Sequence, residues 1–300
     1  MHIREVKRNV STASIIEYLP AILSFIIFKF AAIIICGAAK VKVVRTTGID
    51  EESLGVLLSA RREGLDLDDL TSKYPERRLR IADAVGRKGM HILFFLVSLI
   101  VVQVLELGYD AAIHSGIAVG VVTMIFMVSL YRSDSWLGTM IFRPYARTMD
   151  GKRARLNMIS AQVLGTCQAL LLATLGYLGL FALGDEQYAY AMMYAVYLPV
   201  AIGDTMGEIV GSFWGKQKLR VLGIGDVNRK SVEGTAAVFL STLAALLWVA
   251  AFVPSPEGYV GLAFLIAVVT TVTELAAPRS TDSFFIPVVN AAVATVWYLY

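Results

Sequence analysis

The fold class predicted is an all-α integral membrane protein, a polytopic helical bundle of seven or eight spans, and three observations predict it. The chain is 57% hydrophobic and only 17% charged, against about 25% charge in soluble globular domains, and its mean hydropathy is +0.65. Its apolar residues fall in runs close to the roughly 20 that cross a bilayer core. Lipid offers no partner to open backbone groups, so runs of this length cross as helices. Its basic residues gather in alternate connections, the third observation.

Taken in chain order, the first run, 15–39, carries Glu17 and Lys29 and follows Arg4, Lys7 and Arg8. It reads as an eighth span, with a helix lying in the interface as the alternative. It is too long for a cleavable signal, and no small-residue cleavage pattern closes it. The polar stretch 41–87 reads as short amphipathic helices on the cytoplasmic surface. Runs at 91–107, 111–131, 158–183, 188–213, 235–253 and 259–277 follow, and a last span starts near Phe284. Eleven Lys and Arg lie in 40–88, six in 132–155 and five in 216–230, whereas 106–110, 184–187 and 254–258 hold none. With the spans so placed, all basic connections share one face, which the positive-inside rule makes cytoplasmic. Cys36 and Cys167 both sit in apolar runs, which gives no support to a disulfide framework or a cysteine metal site.

Ionisable groups inside spans are costly, so each is a candidate for chemistry. The densest group is in 201–237. Asp204 and Glu208 are four apart, one turn from each other on one helix face, and such a pair near a span's end could hold a divalent cation with positions open to phosphate oxygens. Gly203, Gly207, Gly211 and Gly215 recur at every fourth residue. That spacing lets two membrane helices pack backbone to backbone. The next loop carries Lys216, Lys218, Arg220, Arg229 and Lys230 around Gly223 and Gly225, a composition suited to phosphate and equally to anionic headgroups. No Walker loop occurs. Arg87 and Lys88 stand three to four residues from His91 on one helix face, where they read as a topology anchor or as phosphate ligands. Arg143, Arg147, Lys152, Arg153 and Arg155 allow the same two readings. His114, with no charged neighbour, reads as structural.

These residues carry a resemblance. Asp204, the glycines Gly207, Gly211 and Gly215, and then Lys230, Ser231, Glu233 and Gly234 after a basic loop resemble the nucleotide-binding signature of the CTP-dependent lipid alcohol kinases, the dolichol kinase and phytol kinase family. Arg87, Lys88 and His91 are similar to that family's Arg-Lys-x-x-His motif at the start of a span, and Glu274, Asp282 and Pro287 to its closing Glu, Asp and Pro-Val pattern. The resemblance runs from residue 87 to the C-terminus. It departs at Gly207, where the family usually has alanine, and in a rather long loop between Gly215 and Lys230. The aspartate and glycine pattern is also similar to that of the phosphatidate cytidylyltransferases, whose closing Lys-Asp and Pro-Gly-His-Gly run this chain lacks.

The resemblance implies a catalytic transmembrane domain over 87–300; the hydrophobic segment and cytoplasmic amphipathic extension over 1–86 precede that domain and are not explained by the resemblance. It implies transfer of the γ-phosphoryl group of CTP to a polyprenol or other isoprenoid alcohol, with Asp204, His91 and Lys230 as catalytic residues. Nucleotide contacts would come from Arg87, Lys88, Gly207, Gly211, Gly215, Lys216, Lys218, Ser231, Glu233 and Gly234. Asp204 would hold Mg²⁺; Glu208, which the family pattern does not assign, joins it on spacing alone, and Glu274 and Asp282 would complete a carboxylate cluster with Asp204. The expected partners are CTP, a membrane lipid alcohol and the bilayer, with no nucleic acid. The alternatives are cytidylyl transfer to phosphatidate and a cation-coupled transporter. The gathering of acids at one face and the lack of an inverted repeat argue against the transporter.

Overall fold

The computed structural model describes residues 15–46, 71–105, 109–133, 135–145, 147, 150, 154–177, 188–219, 221, 230–277 and 281–299. Of these, 88% are helical, so the protein is all-α. Helix α1 (Ile15–Thr46) is followed by α2 (Glu76–Val104), α3 (Tyr109–Leu130), the short α4 (Trp136–Tyr145) and α5 (Ala154–Tyr177). The next run is one helix in three parts: α6 (Ala189–Leu198), a π-helical turn (Pro199–Asp204) and α7 (Thr205–Phe213). Strands β1 (Lys218–Leu219) and β2 (Lys230–Ser231) pair antiparallel, with Lys218 opposite Ser231 and Leu219 opposite Lys230. Helices α8 (Val232–Phe252), α9 (Tyr259–Ala276) and α10 (Asp282–Leu299) complete the chain.

The π-helical turn originates in its first residue. Pro199 brings no N–H to the helical ladder, and its ring crowds the carbonyl four residues back, so the helix widens locally. Such single π-turns recur at functional sites, and this one ends on Asp204. The turn packs against α2, α8, α9 and α10, which puts it at the centre of the bundle. Beside it, Ala191, Ala195 and Leu198 of α6 close a core with Leu246 and Val249 of α8 and Leu262 and Ile266 of α9. On the other side α1 packs along α2, α3 and α4. There Ala32, Ile33 and Cys36 enclose Met90, and Phe25 meets Val101 and Val119. Lys29, the cation inside the first apolar run, lies 5.0 Å from the centre of the Phe94 ring, which gives its charge a favourable neighbour.

Among the described residues, four helices are long and apolar enough to cross a membrane: Tyr18–Thr46 of α1, Ala154–Thr174 of α5, and α8 and α9. The surface agrees, because Ile27, Ile100, Ile125, Leu240, Phe252 and Val272 all point outward, and soluble monomers rarely expose contiguous apolar patches beyond a few hundred Å². Helix α2 falls outside the four because its first half, Glu76 to Lys88, is densely charged, and the 188–213 run is interrupted by its π-turn. Of the 41–87 stretch, the described ends belong to α1 and α2, and 71–73 form a short helical piece before α2; residues 47–70, where most of the expected short amphipathic helices fall, lie outside the described residues. One expectation is corrected. The basic connection 132–155 contains a ten-residue helix, α4, whose Gly138, Ile141 and Phe142 are buried.

Candidate functional site

Helices α2 and α7 meet beside the π-turn, and their charges meet there too. Lys88 has no solvent exposure; its ammonium donates to Asp204 Oδ2 and lies 3.3 Å from Glu208 Oε2. Arg87 pairs with the same Glu208 oxygen, and Arg147 Nη2 lies 3.4 Å from it. The two acids, Asp204 at the end of the π-turn and Glu208 in the first turn of α7, thus converge on one cation, Lys88, which lies 116 residues before Asp204 in sequence. Removing one partner from a buried pair of this kind strands the other charge, at a cost of about 3–5 kcal/mol. Arg77 of α2 donates to the Phe213 carbonyl at 2.5 Å, a side-chain cap that holds the end of α7 against α2.

A second pair joins the loop to the last helices. Lys230 on β2 pairs with Glu274 near the end of α9. Burial lowers the Lys230 pKa below the ordinary lysine value, while Asp204 and Asp282 oppose the shift, so the charge of this lysine depends on the acids around it. One turn before Glu274, Thr270 shares two hydrogen bonds with Asn290 of α10 at 3.0 and 3.2 Å, which fastens this end of α9 to α10.

A cavity of about 190 Å³ opens on the other side of Arg87, with His91, Arg147, Asp150 and Asp282 in its walls. His91 Nδ1 is buried and has no hydrogen-bond partner among the described residues. The sequence-predicted residues Arg87, Lys88, His91, Asp204, Glu208, Lys230, Glu274 and Asp282 are therefore neighbours at one end of the bundle.

The glycine strip has a different part. A Cβ on Gly207 would collide with Val238 of α8 and come within 3.3 Å of the Gly234 carbonyl, and one on Gly203 would strike Thr242. At Gly211 it would meet Ser231 Oγ at 3.4 Å, and at Gly215 it would strike the Gly211 carbonyl. The open sides of these glycines face α8 and β2, so the strip serves close helix packing. Ser231 is the N-cap of α8, its Oγ accepting from Gly234 N at 3.1 Å, as capping serines do. Glu233 Oε1 accepts from the amides of Lys216 and Gln217 at 3.1 and 3.3 Å, which ties the neck of the basic loop. The Lys216 and Lys218 side chains are exposed. Arg220, Gly223, Gly225, Arg229, Lys152 and Arg153 lie outside the described residues.

Among the described residues no three His, Cys, Asp or Glu side chains come together as a metal cage. The four-carboxylate cluster expected of Asp204, Glu208, Glu274 and Asp282 is thus not gathered round one point, because Glu274 is turned to Lys230. The donor set that fits Mg²⁺ is Asp204 with Glu208: their oxygens already converge on one cationic centre, the Lys88 ammonium. Mg²⁺ commonly takes one or two carboxylates and fills its other positions with phosphate oxygens and water.

Other cations are structural. Arg155 donates to the Tyr131 and Ser133 carbonyls at 3.1 Å and lies 4.9 Å from the Phe142 ring, and His114 stacks on Tyr18. The pair that sequence reasoning missed is Lys40–Asp83, 3.0 Å apart and buried between α1 and α2. Gly86 makes room for it, since a Cβ there would lie 2.9 Å from the Lys40 chain and 2.6 Å from the Pro144 carbonyl. Nothing in the spacing of these residues connects a lysine ending one apolar run with an acid 43 positions later.

Compared with known proteins, the chain matches no family model, no curated protein and no solved structure. What the site offers chemically is a set of cations and acids that neutralise each other, beside a cavity lined in part by a histidine.

Proposed function

We propose that the protein is a membrane-embedded kinase that transfers the γ-phosphoryl group of CTP to a lipid alcohol of the polyprenol or isoprenoid kind. It would work at the cytoplasmic face of a seven- or eight-span bundle. One observation carries this reading: three separate segments that resemble the CTP-dependent lipid alcohol kinases, around Arg87, Asp204 and Lys230 to Asp282, supply side chains that pair with one another or line a common cavity. Segments chosen on sequence alone have no reason to converge unless they share a site.

Phosphoryl transfer is mostly positioning and neutralisation of charge. Asp204 and Glu208 would hold Mg²⁺, which when bound supplies a hard counter-charge to the triphosphate. Lys88, Arg87 and Lys230, released from their acids, turn to the phosphate oxygens. Ser231 and Glu233 fix the loop neck and the start of α8, so that Lys230 approaches from one side and α2 from the other. His91, with a ring nitrogen unpaired at the cavity, accepts the alcohol proton. The alcohol oxygen then bonds to the γ-phosphorus, the bond from that phosphorus to the bridging oxygen breaks, and CDP leaves.

The test is positional labelling with purified protein, Mg²⁺, CTP and a lipid alcohol. Label from the γ-phosphate should enter the lipid. Entry from the α-phosphate instead, with phosphatidate as acceptor, would replace this reading with cytidylyl transfer.

A further inference from the structure

A second hollow, which shares no residue with the cavity beside His91, lies where the end of α1 meets α4. It holds about 650 Å³ and is lined by Ala38, Val41, Lys42, Arg45 and Thr46 of α1 and by Arg143 of α4. That volume falls within the roughly 300–1,000 Å³ of small-molecule sites, far more than one ion needs. Three cations line it, and among the described residues no acid does. Lys40 faces elsewhere and is buried against Asp83, whereas Lys42, about 200° further round the helix, is exposed. Arg143 reaches the same hollow across Gly37, where an added Cβ would lie 3.7 Å from its Cδ, so the arginine stem rests on α1 at the glycine.

The face of α1 that leads to this hollow is apolar. Leu23, Ile27, Ile34, Ala38 and Val41 succeed one another at steps of three, four or seven residues, which is one stripe of a helix, and the first four are exposed. From Leu23 to Val41 the stripe measures about 27 Å at the helical rise, close to the ~30 Å hydrocarbon core of a bilayer. Lys42 and Arg45 stand just past its end, at the level of lipid phosphates. From this arrangement we propose that the hollow binds the phosphate of an anionic phospholipid whose acyl chains lie along the stripe. Arg143 offers a planar fork to two phosphate oxygens, and Lys42 and Arg45 add charge from the facing helix. Basic pockets between spans hold anionic headgroups in this way. A soluble phosphate would meet the same cations but leave the stripe unused. The site rests on α1 crossing the bilayer and not on the kinase reading. Four residues beyond Arg143 the chain places Arg147 at Glu208, so a lipid seated here fastens the segment that carries a cation of the carboxylate site.

The test uses the full chain in detergent, exchanged into mixtures of phosphatidylglycerol and phosphatidylcholine of equal acyl length, with retained lipid counted by native mass spectrometry. Inorganic phosphate and CTP are added as competitors, and a phosphatidylglycerol carrying a diazirine near its headgroup maps the site. Wild type should retain phosphatidylglycerol over phosphatidylcholine, and the probe should crosslink to the α1 peptide containing Val41. A cation beside an anionic surface is worth about five-fold in affinity, so Lys42→Gln with Arg45→Gln should weaken retention about 25-fold. Arg78→Gln with Arg132→Gln removes the same charge from exposed positions outside the hollow and should behave as wild type. Arg143→Lys keeps the charge but loses the fork, so it should weaken retention several-fold in a protein that inserts normally. No preference for phosphatidylglycerol, equal losses in the two double variants, or wild-type retention in Arg143→Lys would overturn the proposal, because the cations would then act as a diffuse topology anchor. Release of phosphatidylglycerol by phosphate or CTP would overturn it in favour of a soluble phosphate.

Discussion

Lys88 holds a full charge where no solvent reaches it, and two carboxylates from another helix meet it there. Such a pair contributes little net stability when intact, but losing one member is severe. Lys88→Met is therefore expected to lower stability by about 3–5 kcal/mol, seen as a drop in the thermal midpoint in detergent. Combining it with Asp204→Leu should recover much of that loss, because both charges are then gone, while activity stays absent. A double variant whose loss equals the sum of the losses of Lys88→Met and Asp204→Leu alone would mean that the two residues do not interact. Lys230 tests the phosphate role apart from folding, since it is only partly buried at the loop neck. Lys230→Gln should lose most activity. Lys230→Arg keeps the charge but replaces a compact ammonium with a planar fork, so it should raise the KM for CTP; a wild-type KM in both would remove Lys230 from the nucleotide site.

Between elements, the closest approach is that of α7 to α8. Gly207→Val would drive a branched side chain into Val238, and overpacking of this sort costs about 1–3 kcal/mol. Val238→Ala in the same chain should restore part of the midpoint, because it vacates the space that the new side chain needs. No rescue would show that the strip is not limited by that contact. Here the sequence was legible in part. Spacing of four showed that the glycines share a face, and either partner, a helix or a phosphate, suited that pattern; which one lies opposite depends on where α8 returns after the loop. Asp204 and Glu208 were likewise legible as a pair on one turn. Their partners Arg87 and Lys88 were legible only as basic residues at a span's start, because contact across 116 residues is a property of the fold. Lys40–Asp83 was not legible at all, since each residue reads locally as an ordinary helix-surface charge.

For the whole molecule, the seven- or eight-span arrangement requires β1 and the turn before α9 to lie on opposite faces. In a background with Cys36→Ala and Cys167→Ser, Lys218→Cys and Glu257→Cys, both at exposed positions, should react with a membrane-impermeant thiol reagent from opposite sides, Lys218→Cys only from the cytoplasmic side. Labelling of both from one side would break the assignment of a single catalytic face. The apolar exterior of α1, α8 and α9 agrees with insertion. The polar side chains gather inward at one end, where Lys88, Asp204 and Glu274 are buried.

The π-turn at Pro199–Asp204 also sets the angular phase of the helix beyond it. An α-helix advances about 100° per residue, and the wider turn absorbs about one residue's worth of that rotation. A helical wheel drawn straight through 189–213 therefore misplaces Gly207 and Glu208 by roughly one position. Length changes should be tolerated unequally as a result. Deleting Val200 removes the turn's extra residue, leaves only the kink at Pro199 and keeps α7 facing α8, so a folded, monodisperse protein is expected. Deleting Ile209 has no slack to draw on: it turns Gly211 and Gly215 away from α8 and Ser231, and the yield of monodisperse protein should collapse. The turn acts as a frame-keeper, the one place in this run where a residue can be lost without changing which way the rest of the helix looks.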